Sequence, residues 1–470
     1  MKKLNPFAKS SIAYLFAAIV GQGFSFVAII VFTRLMSKES YGLYSTYYAW
    51  VSICNVLVGA NLFTALNNAY IDHKQDIYPF RKTILFLSSI ICLALTFVIL
   101  IARSIFFRQI ALPVFLFAIV HAYSFFAVNY RMYSANMEND RRTKSLLLIL
   151  PNALQFLFAL ALVLLFKDNA FYARVVGSTL GVLACAVVVF IEMMKKDGPL
   201  IRQDYWTYSL KISVPTIAMS LSYMLMQQCD KIMITKYCGE EFTAVYSVLF
   251  YLSYALIVVN QAIGAVRQVW IYNMLDKKGS EKFAVLQKWY LICIAVMMIG
   301  TFMIAPEAIR ILVPSSYWEY SYVAPFVFSA SMMVMYGFYS DVALFYKRNT
   351  LFSACVVSTA LLNLILNAVF IRRFGAIAAA YTTAASYLIL FILLRFFFGH
   401  AENVTYSLWP FLLFLAFTAI MSGVYLFTME KTLIRYVLSL ILLLLVGIYL
   451  ISRKSEWMPL VIKPEDEIEG

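Results

Sequence analysis

Apolar runs of about twenty residues, separated by short polar segments, succeed one another along this chain. Runs long enough to cross about 30 Å of hydrocarbon lie near 11–33, 45–67, 83–102, 109–130, 146–166, 171–192, 210–235, 243–266, 284–305, 321–344, 351–371, 377–398, 407–428 and 432–452. The pattern predicts an all-α polytopic membrane protein with about 14 transmembrane helices. The weakest runs are 45–67, rich in Asn and Ser, and 321–344, which contains Tyr336, Tyr339 and Asp341.

Polar positions inside these runs are not scattered. In the seventh, Ser213, Thr216, Ser220, Tyr223, Gln227 and Asp230 recur at intervals of three and four, which places them on one face of a helix. The second run carries Ser45, Tyr48, Ser52, Asn55 and Gly59 at the same spacing, and the eighth carries Ser247, Tyr251, Tyr254 and Gln261. The first is a poorer match, with only Gln22 and Ser25 polar on the corresponding face. Such stripes either line a polar cleft or serve as helix-packing contacts, for which Ser, Thr and small residues are suited.

The layout recurs. Thr33-Arg34-Leu35-Met36 followed by Tyr41-Gly42-Leu43-Tyr44-Ser45 has a second copy in Asp230-Lys231-Ile232-Met233 followed by Ala244-Val245-Tyr246-Ser247. Arg141-Arg142-Thr143 before the fifth run likewise resembles Lys347-Arg348-Asn349-Thr350 before the eleventh. The chain thus divides into a six-helix bundle at 1–200, a second at 201–400, and two further helices with a short tail at 401–470. Because each repeat has an even number of spans, the copies are expected to share one orientation, related by an axis along the membrane normal.

Composition agrees with this picture. Of the 470 residues, 63% are hydrophobic and 13% charged, too few polar groups for an ordinary soluble surface. The N-terminal run continues past the length of a signal-peptide core without a small-residue cleavage site, so it reads as a retained span. Lys and Arg are distributed unevenly: with the N-terminus cytoplasmic, the inner segments hold 25 of the 38 and the outer ones 13. That bias predicts both termini inside and accounts for most of the formal charge of +14 without nucleic-acid binding. The loops are short, and the acidic end at Glu465, Asp466, Glu467 and Glu469 reads as a solvated tail. The seven cysteines lack metal-ligand or disulfide spacing. No phosphate-binding loop, HExxH or GxSxG is present, so any driving force comes from an ion gradient, the membrane potential or the substrate gradient.

A charge at mid-membrane costs at least about 2.5–3.5 kcal/mol on insertion scales, so ionisable residues there tend to face a cavity or a partner. Arg34, Asp230 and Lys231 lie near the outer ends of their spans, where they either snorkel to headgroups or line a polar path. Arg131 and Arg267 fall near inner ends, as anchors of the topology or as cations for an anionic headgroup. His121 sits within the fourth run, either as a hydrogen-bonded interhelical residue or as a site of ion coupling, for which Asp230 and Asp341 are the acidic candidates. Asn55, Gln227 and Gln261 complete the polar set along the expected path. Asn363 and Asn367 are expected to bond between helices.

Several stretches in a fixed order carry a family resemblance. They are Thr33-Arg34-Leu35 with Tyr41-Gly42-Leu43-Tyr44, Asp230-Lys231-Ile232-Met233-Ile234, Ala305-Pro306-Glu307-Ala308-Ile309, and Leu362-Asn363-Leu364-Ile365-Leu366-Asn367 with Phe374-Gly375-Ala376-Ile377-Ala378-Ala379-Ala380. In these the chain resembles the Wzx-type O-antigen and polysaccharide repeat-unit flippases of the multidrug/oligosaccharidyl-lipid/polysaccharide (MOP) exporter superfamily. The resemblance implies two MATE-like six-helix bundles forming a V-shaped cavity, plus two C-terminal helices, in a bacterial inner membrane. It implies a non-enzymatic activity, export of an undecaprenyl-diphosphate-linked oligosaccharide by alternating access, with Arg34 and Lys231 best matched to a cationic cavity. Arg34 and Lys231 would receive the diphosphate at the outer end, and Arg131 and Arg267 would engage it at the inner end. Expected partners are that lipid-linked oligosaccharide and the bilayer, together with a polysaccharide polymerase and a chain-length regulator; no cofactor, metal or nucleic acid is expected. Two other classes fit less well: a cation-coupled multidrug antiporter of the same superfamily, favoured by acidic mid-membrane clusters, and a polysaccharide polymerase or ligase, favoured by a large outer loop.

Overall fold

The computed structural model describes residues 6–106, 111–138, 140–253, 267–268, 271–272, 275, 280–398 and 408–456; side chains are described for these except at 6–19, 99, 102–106, 280–284 and 286. Among the described residues every regular element is a helix. In chain order these are α1 (Pro6–Leu35), α2 (Lys38–Val58), α3 (Thr64–Asp72), α4 (Ile77–Phe106), α5 (Leu112–Met137), α6 (Arg141–Leu165), α7 (Ala170–Met194), α8 (Gln203–Cys238) and α9 (Glu240–Ser253). They continue as α10 (Ser280–Leu312), α11 (Val323–Phe345), α12 (Asn349–Phe374), α13 (Ile377–Phe398), α14 (Leu408–Thr428) and α15 (Thr432–Ser452).

Among the described residues ten helices, α4 to α7 and α10 to α15, are long and apolar enough to cross a bilayer, which makes this an all-α multi-pass membrane protein. α2 and α8, with 21 and 36 residues, are long enough by the 1.5 Å rise of a helix. They fall outside that set because they carry the polar stripes. Most of the eighth run, including Gln261, lies outside the described residues.

The second run departs from a continuous span. α2 stops at Val58, and the chain turns through Ala60 (φ 42°) and Asn61 (φ 53°), a left-handed backbone unfavourable for residues other than Gly, before α3 begins. Asn tolerates that conformation better than most residues. Here its amide also donates to Thr216 Oγ1 and Ser220 Oγ of α8, both at 2.8 Å. Non-helical backbone in a membrane protein survives only where protein or trapped water satisfies it. Here the turn's own bonds do so, from the Ala60 N–H to the Leu57 carbonyl (3.1 Å) and from the Leu62 N–H to the Gly59 carbonyl (2.9 Å), while the Asn61 amide fixes the break onto α8. Replacing Asn61 by Ala is therefore expected to cost about 1–3 kcal/mol in lost bonds, and Asn61→Gly less than Asn61→Ala, because Gly accepts positive φ. Thermal denaturation of the purified variants checks the order. A regular helix at this point would reverse it, with Ala the more stable.

Contacts divide the chain into two compact units, Met1–Ala244 and Val245–Gly470. In the first, α6 and α7 pack backbone to backbone: a side chain at Gly177 or Gly181 would collide with the main chain at Ala159 or Gln155. α8 belongs to this unit because it lies along α2. Gly42 of α2 passes directly beneath the Glu240 carbonyl, where any Cβ would overlap it. Thr46 Oγ1 meets Thr235 Oγ1 at 2.5 Å, and Thr235 in turn meets Thr243 at 2.7 Å. At the other end of α8, Tyr208 donates to Asp72 (2.6 Å) and Tyr205 to Asp76 (3.0 Å), holding it on the α3–α4 elbow.

In the second unit, α12 and α13 are joined by buried amides and hydroxyls. Asn363 donates to Ser386 Oγ (3.1 Å), Asn367 to Asn363 Oδ1 (3.3 Å), and Thr382 to Asn367 Oδ1, so both asparagines bond as expected. α14 and α15 are docked on α10. Phe302 stacks on Tyr425 at 4.9 Å, while Arg435 of α15 donates to the Met303 carbonyl (3.1 Å) and pairs with Glu307. Pro306 interrupts the hydrogen-bond ladder of α10 beside that pair. The Ala305-Pro306-Glu307 stretch is thus the anchor for the last helix.

Candidate functional site

The α8 stripe serves two purposes along its length. Its first half is spent on packing: Ser213 meets Thr64 at 3.2 Å, and Thr216 and Ser220 receive Asn61. Its second half carries charge. Asp230 and Lys231 are 2% and 1% exposed, so neither snorkels to solvent, and Lys231 Nζ donates to Gln228 Oε1 at 2.8 Å. Gln227 is buried beside them, and all three are engaged by neighbours. A buried acid and base on adjacent positions of a striped helix form a polar centre in which each charge offsets part of the other's burial cost.

Arg34 differs from its repeat counterpart. It sits in the last turn of α1, exposed, with Nη1 donating to the Ile30 carbonyl at 2.8 Å. The two repeat positions therefore offer one accessible and one enclosed cation.

Arg131 is held by carboxylates from three directions. It donates to Glu192 of α7 (3.0 Å from Nη2) and Glu138 (3.2 Å from Nη1), with Asp140 at 3.8 Å, while Arg81 pairs with Glu138 from the other side. Asp140 also caps α6, accepting the Thr143 N–H at 3.1 Å. Hydrogen bonding to Thr143, with Arg131 nearby, holds its carboxyl below the usual range. In the second unit Arg267 Nε donates to Asp341 at 2.8 Å and Nη1 to the Tyr290 hydroxyl at 3.0 Å. Two residues assigned to separate roles on sequence, a headgroup cation and an ion-coupling acid, are thus one buried pair.

His121 lies in a polar knot within the first unit. Tyr47 shares hydrogen bonds with His121 Nδ1 and Thr179 Oγ1, both at 3.0 Å, and Phe125 stacks on the imidazole at 5.0 Å. Asn55 donates to the Ala122 carbonyl at 2.9 Å, so it ties α2 to α5. These two residues stand together at one helix interface. Sequence reasoning missed Asn61, hidden inside an expected continuous span, and Arg174, a single cation in the apolar run of α7; its only signal was that isolation.

The family described as polysaccharide biosynthesis protein matches residues 7–271. No curated protein sequence matches the chain. Among solved structures, the lipid II flippase MurJ in an inward closed conformation is 16% identical, with a TM-score of 0.72, over 94% of this chain and 99% of that one. An inward-facing multidrug resistance MATE family transporter of the MOP superfamily is 12% identical, with a TM-score of 0.61, over 87% of this chain and 99% of that one. A MOP superfamily transporter from Pyrococcus furiosus is 13% identical, with a TM-score of 0.55, over 87% and 96%. The fold is therefore that of the MOP exporters.

Proposed function

The chain belongs to the polysaccharide biosynthesis protein family, and from that premise we propose that it is a flippase for polyprenyl-diphosphate-linked oligosaccharides. The substrate class is of the O-antigen or capsule type, handled in a bacterial inner membrane with both termini cytoplasmic, as the distribution of Lys and Arg supports. The likeness of fold to a lipid II flippase supports a lipid-linked substrate. The observation that carries the reading is the buried Asp230–Lys231 centre on a polar-striped helix. It is a place where a diphosphate can meet a cation while the polyprenyl tail remains in lipid.

In this mechanism the repeats at 1–200 and 201–400 rock against each other, and the α2–α8 seam inside the first compact unit is the contact that opens. Arg34 and Lys231 receive the diphosphate at the outer end, and Gln227, Asn55 and Gln261 belong to the polar path. Arg131 and Arg267 engage the diphosphate at the inner end by exchanging carboxylate partners for phosphate oxygens, since both are ion-paired at rest. A polysaccharide polymerase and a chain-length regulator act downstream.

The antiporter reading is less well supported. Asp341 is paired with Arg267 and Asp230 stands beside Lys231, so the acids available for a cation already have bases next to them.

Proteoliposomes loaded with a short polyprenyl-diphosphate oligosaccharide test the proposal. Exposure of the glycan to a membrane-impermeant glycosidase is expected to be faster with protein than without, and slower again with Lys231→Gln. Equal exposure in protein-free and protein-containing liposomes would overturn it.

A further inference from the structure

Among the described residues Arg174 stands apart from the other buried arginines. Arg81, Arg131, Arg267 and Arg435 each pair with a carboxylate. Arg174, in the second turn of α7, is only 6% exposed, and among the described residues no acid lies within ion-pair reach of it. What surrounds it is aromatic. Its guanidinium carbon lies 3.8 Å from the ring centre of Tyr44, 4.1 Å from that of Phe32 and 4.8 Å from that of Tyr41. Such contacts offset part of the burial cost.

Rings do not accept the N–H groups that radiate in the guanidinium plane, and those are poorly served. Nη1 reaches the Met36 sulfur at 3.6 Å, a weak acceptor. Nε is buried with no acceptor among the described residues. A guanidinium carries five donors, and a buried donor left unmet keeps the cost of its lost hydration. The Nε–Nη2 edge is the fork with which arginine grips anions, and here nothing described fills it.

We infer that this edge is a binding site for a small monovalent anion, a halide, which in the cell means chloride. One unit of charge matches one guanidinium, and a spherical acceptor takes converging N–H groups without demanding further donors. A phosphate or diphosphate would bring several oxygens and more than one charge into a cage that offers a single cation. The bound anion would also complete a clasp, since Phe32 and Met36 at the end of α1 and Tyr41 and Tyr44 at the start of α2 are all gathered on Arg174 of α7. The inference is independent of the flippase reading.

The test uses the purified full-length protein at constant ionic strength, in sodium chloride against sodium gluconate. Chloride is expected to raise Tm in a saturable manner, bromide to substitute for it, and Arg174→Gln to abolish the shift. Arg174→Lys keeps a cation in the cage without the planar fork, and is expected to move the chloride midpoint to higher concentration. In crystals of the unmodified protein soaked in bromide, an anomalous peak is expected within hydrogen-bond distance of Nε. This arm stands even where the variants do not fold. A chloride shift that persists unchanged in Arg174→Gln would overturn the inference. So would a saturable response to inorganic phosphate and not to chloride, or the absence of bromide at Nε.

Discussion

Oxidising a variant that carries Thr46→Cys and Thr235→Cys reduces translocation to the level of protein-free liposomes, and a reductant restores it. The expectation follows from the 2.5 Å separation of the two hydroxyl oxygens. Sulfur atoms in their place fall close to the roughly 2.05 Å of a disulfide, on side chains already directed at one another. The same crossing is tight on its flank, where Gly42 runs under the Glu240 carbonyl. If the α2–α8 seam must part for substrate to pass, a covalent bond across it holds the protein in one state. The single-cysteine variants, oxidised in parallel, control for the seven native cysteines, none of which is in a disulfide. A cross-linked protein that still exports at the full rate would show that the gate lies elsewhere.

The second large effect concerns stability. Removing the charge of Asp341 alone, as Asp341→Asn, leaves Arg267 buried without its carboxylate, and breaking such a pair typically costs about 3–5 kcal/mol. Replacing both partners with apolar side chains, Arg267→Met with Asp341→Leu, is expected to recover most of that loss, since a buried pair is often neutral against a well-packed isostere. The site is closely fitted, because any side chain at position 337 would strike the Arg267 guanidinium. Thermal inactivation half-lives of the purified single and double variants measure both. A single variant as durable as the parent would mean that the pair is solvated and contributes little. If the double variant is stable but inactive, the pair is needed in transport rather than in folding.

How far these features could be read from the sequence depended on the range of the interaction. Apolar run length marks the helices, because the hydrocarbon thickness sets it locally. The α8 stripe was equally legible from its spacing, but its purpose was not. Asn61, which occupies the first half of the stripe, lies 155 residues from Thr216 in the chain. Nothing in the segment around Gly59, Ala60 and Asn61 distinguishes a polar span from a broken one until α8 is beside it. The ion pairs tell the same story. Glu192 is 61 residues from Arg131 and Asp341 is 74 from Arg267, so each residue looked like an isolated candidate. Arg174 was counted only toward topology, since a cation–π cage built from α1 and α2 leaves no periodic trace in α7. The repeat at Arg34 and Lys231 was visible, whereas the exposure of one and the enclosure of the other are properties of packing.

The central claim is translocation of a lipid-linked oligosaccharide, and the most direct measurement is made in the host. The gene is deleted, and the polyprenyl-linked intermediates are extracted and assigned to a leaflet. The account predicts that complete polyprenyl-diphosphate oligosaccharide accumulates on the cytoplasmic leaflet while surface polysaccharide is lost, and that a plasmid copy reverses both. Normal surface polysaccharide with altered drug sensitivity would contradict it in favour of an antiporter. Single repeat units stranded on the outer leaflet would contradict it in favour of a polymerase.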